Sequence, residues 1–211
     1  MTDFMELHKW TFRRRMMVAA VDVNSGAYKV YSETTDDHVK AVLSSSAIPF
    51  VFPNQEWPTH YFAMDGGSVW NTNLVSAVQR CREIVDDDSK ITVDIIVCGQ
   101  GPKIGPWKNE GKAVGNYLRF KEIKDYYDGS ADIWRFMQAY PKVNFRYYVE
   151  PSGSLPSGLD IIKVDNKTVT WPCQVMGRKD GANAVNQGEG VSFLQFEAMM
   201  IEKMPELKAA S

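Results

Sequence analysis

The chain has 211 residues, enough for one well-buried core and few for two. Hydrophobic residues make up 44% and charged residues 24%, the balance of a soluble globular domain. A net charge of −2 excludes a general polyanion binder, and a nucleic-acid role would need a basic stripe that the sequence lacks.

The one dense basic run, Arg13-Arg14-Arg15, leads into Met16-Met17-Val18-Ala19-Ala20-Val21 and reads as the exposed entry to a buried strand. That strand is expected within residues 12–23. Val23-Asn24-Ser25-Gly26 is a turn, because Asn and Gly tolerate positive φ. Residues 27–32 alternate as a second strand, and the pair reads as a hairpin. Thr35 or Asp36 is expected to cap a short helix through Val39, Val42 and Leu43 to Ser45, which Pro49 ends.

Trp57-Pro58 marks a loop. Residues 61–64 form a short strand that runs into Asp65-Gly66-Gly67. A helix follows, capped by Asn71 or Asn73, with Leu74, Val75, Val78, Cys81, Ile84 and Val85 on one stripe. Asp86-Asp87-Asp88 belongs past its end, since three carboxylates oppose the negative pole of a helix dipole. Three adjacent side chains do not converge on one ion, so no metal site is expected there.

Residues 91–98 are a near-continuous apolar run, the pattern of a strand buried on both faces of a parallel sheet. Helix plus loop is expected over 109–128, a short helix over 131–140 and a strand over 143–149. Residues 159–164 and 168–175 flank Asp165-Asn166-Lys167 as a second hairpin, and residues 189–203 form a terminal amphipathic helix. The alternation of strand and helix over 12–101 argues an α/β fold with a mostly parallel sheet.

No apolar run approaches the roughly 18 residues that a membrane span needs. Asp3, Glu6 and His8 interrupt any signal peptide. Cys81, Cys98 and Cys173 are odd in number and widely spaced, which points to reduced thiols in an intracellular protein, soluble or peripheral to a membrane. Trp57, Trp70 and Trp107 sit in loops that offer a lipid contact, although such tryptophans more commonly pack locally.

Several motifs fail. Gly99-Gln100-Gly101 follows a strand, but the third glycine of a dinucleotide fingerprint would fall at Ile104, after Pro102. Gly105 to Gly111-Lys112 is one residue too long for a P-loop, and Ala113 stands where a hydroxyl is required. His8, His38 and His60 lack metal-ligand spacing. No G-x-S-x-G nucleophile elbow occurs, and the nearest approach, around Ser154, has the wrong spacing and two nearby prolines.

What remains is Asp65-Gly66-Gly67. The acid stands where a strand ends and a capped helix soon begins, the place where sites form in open α/β sheets. The two glycines let backbone approach closely. Alone the triplet is more commonly a simple turn.

Its surroundings resemble a known family. The stretch Ser46-Ala47-Ile48-Pro49-Phe50-Val51-Phe52-Pro53 resembles the Ser-Ala-x-Pro-x-x-Phe segment of patatin-like phospholipases. Met64-Asp65-Gly66-Gly67-Ser68-Val69-Trp70-Asn71 resembles that family's Asp-Gly-Gly block with its trailing asparagine. Upstream, Val18-Ala19-Ala20-Val21-Asp22-Val23-Asn24-Ser25-Gly26 is similar to the family's Ala-Thr-Asp-x-x-x-Gly strand and turn, and Val93–Gly101 to its strand ending in Gly-Thr-Gly. The four blocks keep the family's order. They cover residues 12–101, while 102–211 match loosely, as a C-terminal extension of the same domain.

The resemblance implies a single three-layer α/β/α domain over 1–211 whose N-terminal half is incomplete. It implies lipid acyl hydrolase chemistry by a Ser-Asp dyad with no cofactor, Asp65 acting as the base and Gly66, Gly67 and Asn71 supporting it. The family's glycine-rich oxyanion loop and its serine lie before all of these blocks and have no counterpart here. The proline expected after Asn71 is also absent, with Thr72-Asn73-Leu74 in that stretch. The chain alone is therefore expected to be inert toward lipid or acyl esters. Another polypeptide or missing sequence would supply the serine; alternatively, the chain is an inactive scaffold or assembly subunit. Either case implies a partner, or a second copy, that covers exposed strand edges.

Overall fold

The computed structural model describes residue 12 and residues 14–99, 112–156 and 165–203. The fold is mixed α/β, and the chain divides into two compact units, Met1–Ala77 and Val78–Ser211.

The first unit is built on a four-stranded sheet. Strands β1 (Met17–Asp22) and β2 (Tyr28–Ser32) form the expected hairpin, in a register that pairs Met17 with Ser32 and Val21 with Tyr28. Gly26 takes φ 71° in the connecting turn, a conformation that costs glycine little. Helix α1 (His38–Ser45) starts later than expected: Asp37 is the cap, its carboxylate accepting from Lys40 N at 2.8 Å. Strands β3 (Gln55–Glu56) and β4 (Phe62–Asp65) complete the order β2-β1-β4-β3.

Every ladder in this sheet is antiparallel, which corrects the expectation of a mostly parallel sheet over 12–101. The connections explain it. Residues 23–27 and 57–61 are tight reversals, whereas a parallel pair needs a long crossover. Ala20, Tyr31, Ala41 and Ala63 make the core, and Val18, Trp57 and Tyr61 pack against it. The small side chains of Ala20 and Ala41, both fully buried, leave little bulk between helix and sheet. The Trp57 ring lies parallel to those of Tyr31 and Tyr61, with ring centroids 4.8 and 5.8 Å away, and donates from Nε1 to Ser44 Oγ at 3.0 Å. This tryptophan packs locally. Trp107, the third of the loop tryptophans, lies outside the described residues.

The division between the units falls within helix α2 (Leu74–Arg82), capped by Asn73, whose Oδ1 accepts from Ser76 N at 3.1 Å. Only Val78 of its predicted stripe is buried, and Ile84, past the helix end, is 68% exposed. The three aspartates are spent on local pairing. Asp87 caps a 3-10 turn at Asp88–Lys90, Asp88 pairs with Arg82, and Asp86 pairs with Lys90.

In the second unit, β5 (Thr92–Ile96), α3 (Ala113–Ala139) and β6 (Asn144–Val149) form a β-α-β unit with parallel strands. Parallel pairing agrees with the apolar run, but burial on both faces does not hold: Ile95 is buried and Ile96 is 72% exposed. Among the described residues β5 pairs with β6 alone, and this two-stranded sheet lacks the helices on both faces that bury the strands of a wide parallel sheet.

Helix α3 is continuous where a helix, a loop and a second helix were expected. Its first half is held by ion pairs at helical spacing, Arg119–Glu122 and Lys121–Asp125. Its second half buries Ile133, Trp134, Phe136 and Met137, and this packing carries the helix through Gly129.

Residues 168–175, expected as a hairpin strand, are instead the start of helix α4 (Lys167–Gln187). Asn166 caps it, accepting from Thr168 N at 3.0 Å, and Pro172 lies inside. The β-branched run Thr168-Val169-Thr170 suggested a strand, but the cap and the packing of Ala184 override that propensity. The partner strand expected over 159–164 lies outside the described residues.

Helix α5 (Val191–Lys203) follows a corner in which Gly188 and Gly190 take φ 98° and 81°. This corner covers the free edge of β6. Gly190 N donates to Arg146 O at 2.8 Å, and Tyr148 N donates to Ser192 Oγ at 2.8 Å. Phe193 then packs against Phe145 and Tyr148 and Phe196 against Tyr148, and Met200 is fully buried. Among the described residues no helix is long and apolar enough to cross a membrane.

Candidate functional site

Asp65 is the last residue of β4, at the carboxyl end of its strand as expected. Pairing with Ala20 fixes its backbone from one side, and Asp65 N donates to Ala47 O at 3.0 Å from the other. The chain then turns at once through a single 3-10 turn, Gly66–Ser68. Asp65 caps this turn itself: Oδ1 accepts from Gly67 N at 2.7 Å. No hydrogen bond among the described residues engages Oδ2.

The two glycines differ in how strictly space requires them: backbone stands against Gly66 and only side chains against Gly67. A Cβ on Gly66 would lie 2.5 Å from Ala19 O and 2.8 Å from its carbonyl carbon, a collision with the β1 backbone. A Cβ on Gly67 would lie 2.9 Å from Asn71 Oδ1 and 3.0 Å from Asp65 Oδ1. Gly67 is thus the meeting point of Asp65 and Asn71. Asp65, Gly66, Gly67 and Asn71 together line one cavity of about 390 Å³.

The cavity has further walls that the sequence did not single out. Met17, Val18 and Ala19 of β1, Tyr28, Ser45 and Trp70 all line it. The Tyr28 hydroxyl donates to Trp70 O at 3.1 Å, and their rings pack at 5.8 Å. Asn73 joins as well, its Nδ2 buried with no hydrogen bond of full geometry. Tyr28 carried no signal of its own: it follows the hairpin turn and reaches the cavity only through the pairing of β1 with β4. Ser45 carried none, being one of three adjacent serines.

Burial pushes the Asp65 carboxyl above the usual carboxylate range, and the Gly67 hydrogen bond only partly offsets it. Burial also raises the Tyr28 phenol, with the negative charge of Asp65 adding to the shift. Such a carboxylate is a better base than one in water, and the cavity that Asp65 lines is large enough for a small group. Among the described residues no histidine completes a relay, and His8 lies outside them. His38 Nε2 bonds to Glu33 O at 2.6 Å, His60 is in a turn at φ 57°, and neither lines the cavity.

Among the described residues no three His, Cys, Asp or Glu side chains gather as metal ligands would. Cys81 and Cys98 are exposed free thiols, and Cys173 is half-buried. The rejected P-loop stretch and the end of the Gly99-Gln100-Gly101 run lie outside the described residues. The sequence matches no protein-family model and none of the curated proteins.

Proposed function

We propose that this chain is the aspartate-bearing portion of a patatin-like lipid acyl hydrolase, with Asp65 the base of a Ser-Asp dyad. One observation carries the reading. Asp65 is half-buried, burial raises its pKa, and it lines a cavity with one oxygen bonded to Gly67 N and the other without a hydrogen bond among the described residues.

In this reading a serine hydroxyl enters the cavity beside Oδ2. Asp65 takes its proton as the oxygen attacks the acyl carbonyl, then returns it to the leaving alcohol. Direct contact makes a histidine unnecessary. The tetrahedral oxyanion needs preorganised N–H donors, which the serine-bearing segment brings. The 211 residues contain no G-x-S-x-G, so that segment is other sequence or another chain. The first-unit sheet offers it a place. Among the described residues β2 is an edge strand, and added strands beside it would extend the sheet toward a three-layer α/β/α domain.

The chain alone is then inert toward acyl esters. Ser45 is the described serine that lines the cavity, and no hydrogen bond joins it to Asp65, so a Ser45→Ala variant is the control for stray turnover. The decisive experiment is native purification followed by fluorophosphonate labelling and fatty-acid release from a phospholipid. Support is a labelled G-x-S-x-G serine bound to this chain, with turnover that falls about 10²–10⁴-fold in Asp65→Asn. A complex with no labelled serine, or turnover indifferent to Asp65→Asn, sinks the enzyme reading and leaves a scaffold.

A further inference from the structure

Asp65 is held by the loop that follows it, and that loop is in turn held from across the sheet. Residues 66–73 carry Gly67 N, which donates to Asp65 Oδ1 at 2.7 Å, and Asn71, whose side chain stands against Gly67. Within the loop Val69 N and Trp70 N both donate to Gly66 O, at 3.1 and 2.9 Å, and Asn73 Oδ1 accepts from Ser76 N to cap α2. These bonds fold the loop on itself. They do not fix where it lies over the sheet.

Tyr28 supplies that fix. It opens β2, a strand separated from β4 by β1, and pairs with Val21. Its hydroxyl nevertheless reaches the loop, donating to Trp70 O at 3.1 Å across 42 residues of sequence, and its ring lies 5.8 Å from the Trp70 ring. The Asn73 side chain approaches the same hydroxyl, its Nδ2 buried with no hydrogen bond of full geometry. One phenol thus engages both ends of the stretch that carries Asn71. No other hydrogen bond among the described residues joins β2 to this loop.

A hydroxyl in this position is not a proton source. Its proton is given to Trp70 O, and burial raises its pKa, with the charge of Asp65 adding to the shift. Its influence on the acid runs through the backbone instead. A base in direct contact with a serine must offer one oxygen while the other is occupied. Gly67 N makes that choice at Asp65, and it does so only while the loop keeps its place. A displacement of about 1 Å at a reacting group costs about a hundredfold in rate.

We propose that Tyr28 is a positioning residue for Asp65: through Trp70 and Asn73 it clamps residues 66–73, so that Gly67 N occupies Oδ1 and Oδ2 is left to receive the serine proton. The role in catalysis rests on Asp65 being the base of the Ser-Asp dyad; the clamp is a property of the chain alone.

Amide hydrogen exchange of the full chain, read by NMR, tests the clamp with two hydroxyl deletions on the same strand. Tyr28→Phe keeps the ring and loses the bond to Trp70 O, whereas Tyr31→Phe loses the bond to the Tyr61 hydroxyl. Exchange at Gly67 should rise at least about tenfold in Tyr28→Phe and stay within about twofold in Tyr31→Phe, with thermal melts to register any global loss. If Tyr28→Phe does not fold, Asn73→Ser keeps a capping oxygen, removes the amide, and decides by the same rise at Gly67. In the completed enzyme Tyr28→Phe should lower kcat about tenfold or more at unchanged KM, because the bond orients a base and binds no substrate. Unchanged exchange at Gly67, an equal rise in Tyr31→Phe, or an unaltered kcat where Asp65→Asn abolishes turnover each overturns the proposal. Turnover indifferent to Asp65→Asn is a different failure: it removes the dyad, and with it the catalytic role of Tyr28, whatever the exchange at Gly67.

Discussion

Two aspartates on neighbouring strands of the first unit each open a glycine-containing turn, and they end in opposite states. Asp22 closes β1, and its carboxylate is saturated: it accepts from Asn24 N at 2.9 Å and from Ser25 Oγ at 2.6 Å. The Ser25 bond holds its pKa below the usual value. Asp65 closes β4, accepts a single backbone bond, and is raised by burial. The residue type and the neighbouring glycine are shared. What separates a turn former from a candidate base is the number of donors that reach the carboxylate and the space left in front of it.

The comparison can be broken in several ways, the largest expected effect being on turnover. In the completed enzyme Asp65→Asn costs about 10²–10⁴-fold, whereas Asp22→Asn leaves acyl hydrolysis within about threefold. An equal loss from both would show that Asp65 acts through folding alone. Next comes the tight approach behind the acid. Gly66→Ala forces a Cβ against the Ala19 backbone and should destabilise the protein by about 1–3 kcal/mol in urea titration.

A finer contrast lies in the sign of the pH dependence. The folded pKa of Asp65 is above its usual 3.8, so folding favours the protonated form. Its contribution is complete below 3.8 and is lost as pH rises through the folded value. Asp22 is shifted the other way. Its contribution is present above 3.8 and is lost as pH falls through the folded value. Melts at neutral pH should therefore show Asp65→Asn at or above the unaltered protein and Asp22→Asn below it; the reverse order would contradict both assignments. The smallest effect belongs to Gly67→Ala. Its Cβ meets side-chain oxygens of Asn71 and Asp65 that can swing aside, so stability should change by less than about 1 kcal/mol.

The parts legible in the sequence are those that local chemistry decides. The hairpin was written in Asn24, Gly26 and the alternation around them. The turn after Asp65 was written in two glycines and the cap of α2 in Asn73, while the convergence of Asp65, Gly66, Gly67 and Asn71 on one cavity followed from their closeness in the chain. Strand direction was not legible, because β1 pairs with β4 across an intervening helix and no local signal fixes that ladder. Helices α3 and α4 were misread where tertiary packing outweighs propensity: Gly129 suggested a break, and Thr168-Val169-Thr170 suggested a strand. Tyr28 and Ser45 reach the site only through sheet pairing and helix placement, which residue type alone does not encode.

The stack of Tyr31, Trp57 and Tyr61 gives the first unit an optical handle. The three rings are nearly coplanar in orientation, with interplanar angles of 5° and 4°, and the Tyr31 and Tyr61 hydroxyls meet at 2.8 Å. Chromophores locked in such a geometry couple, and near-ultraviolet circular dichroism reports that coupling only while side chains stay fixed. A Trp57→Phe substitution removes the indole from this cluster and should erase much of the signal without emptying the core. The unit that carries Asp65 can thus be followed by its own colour during unfolding.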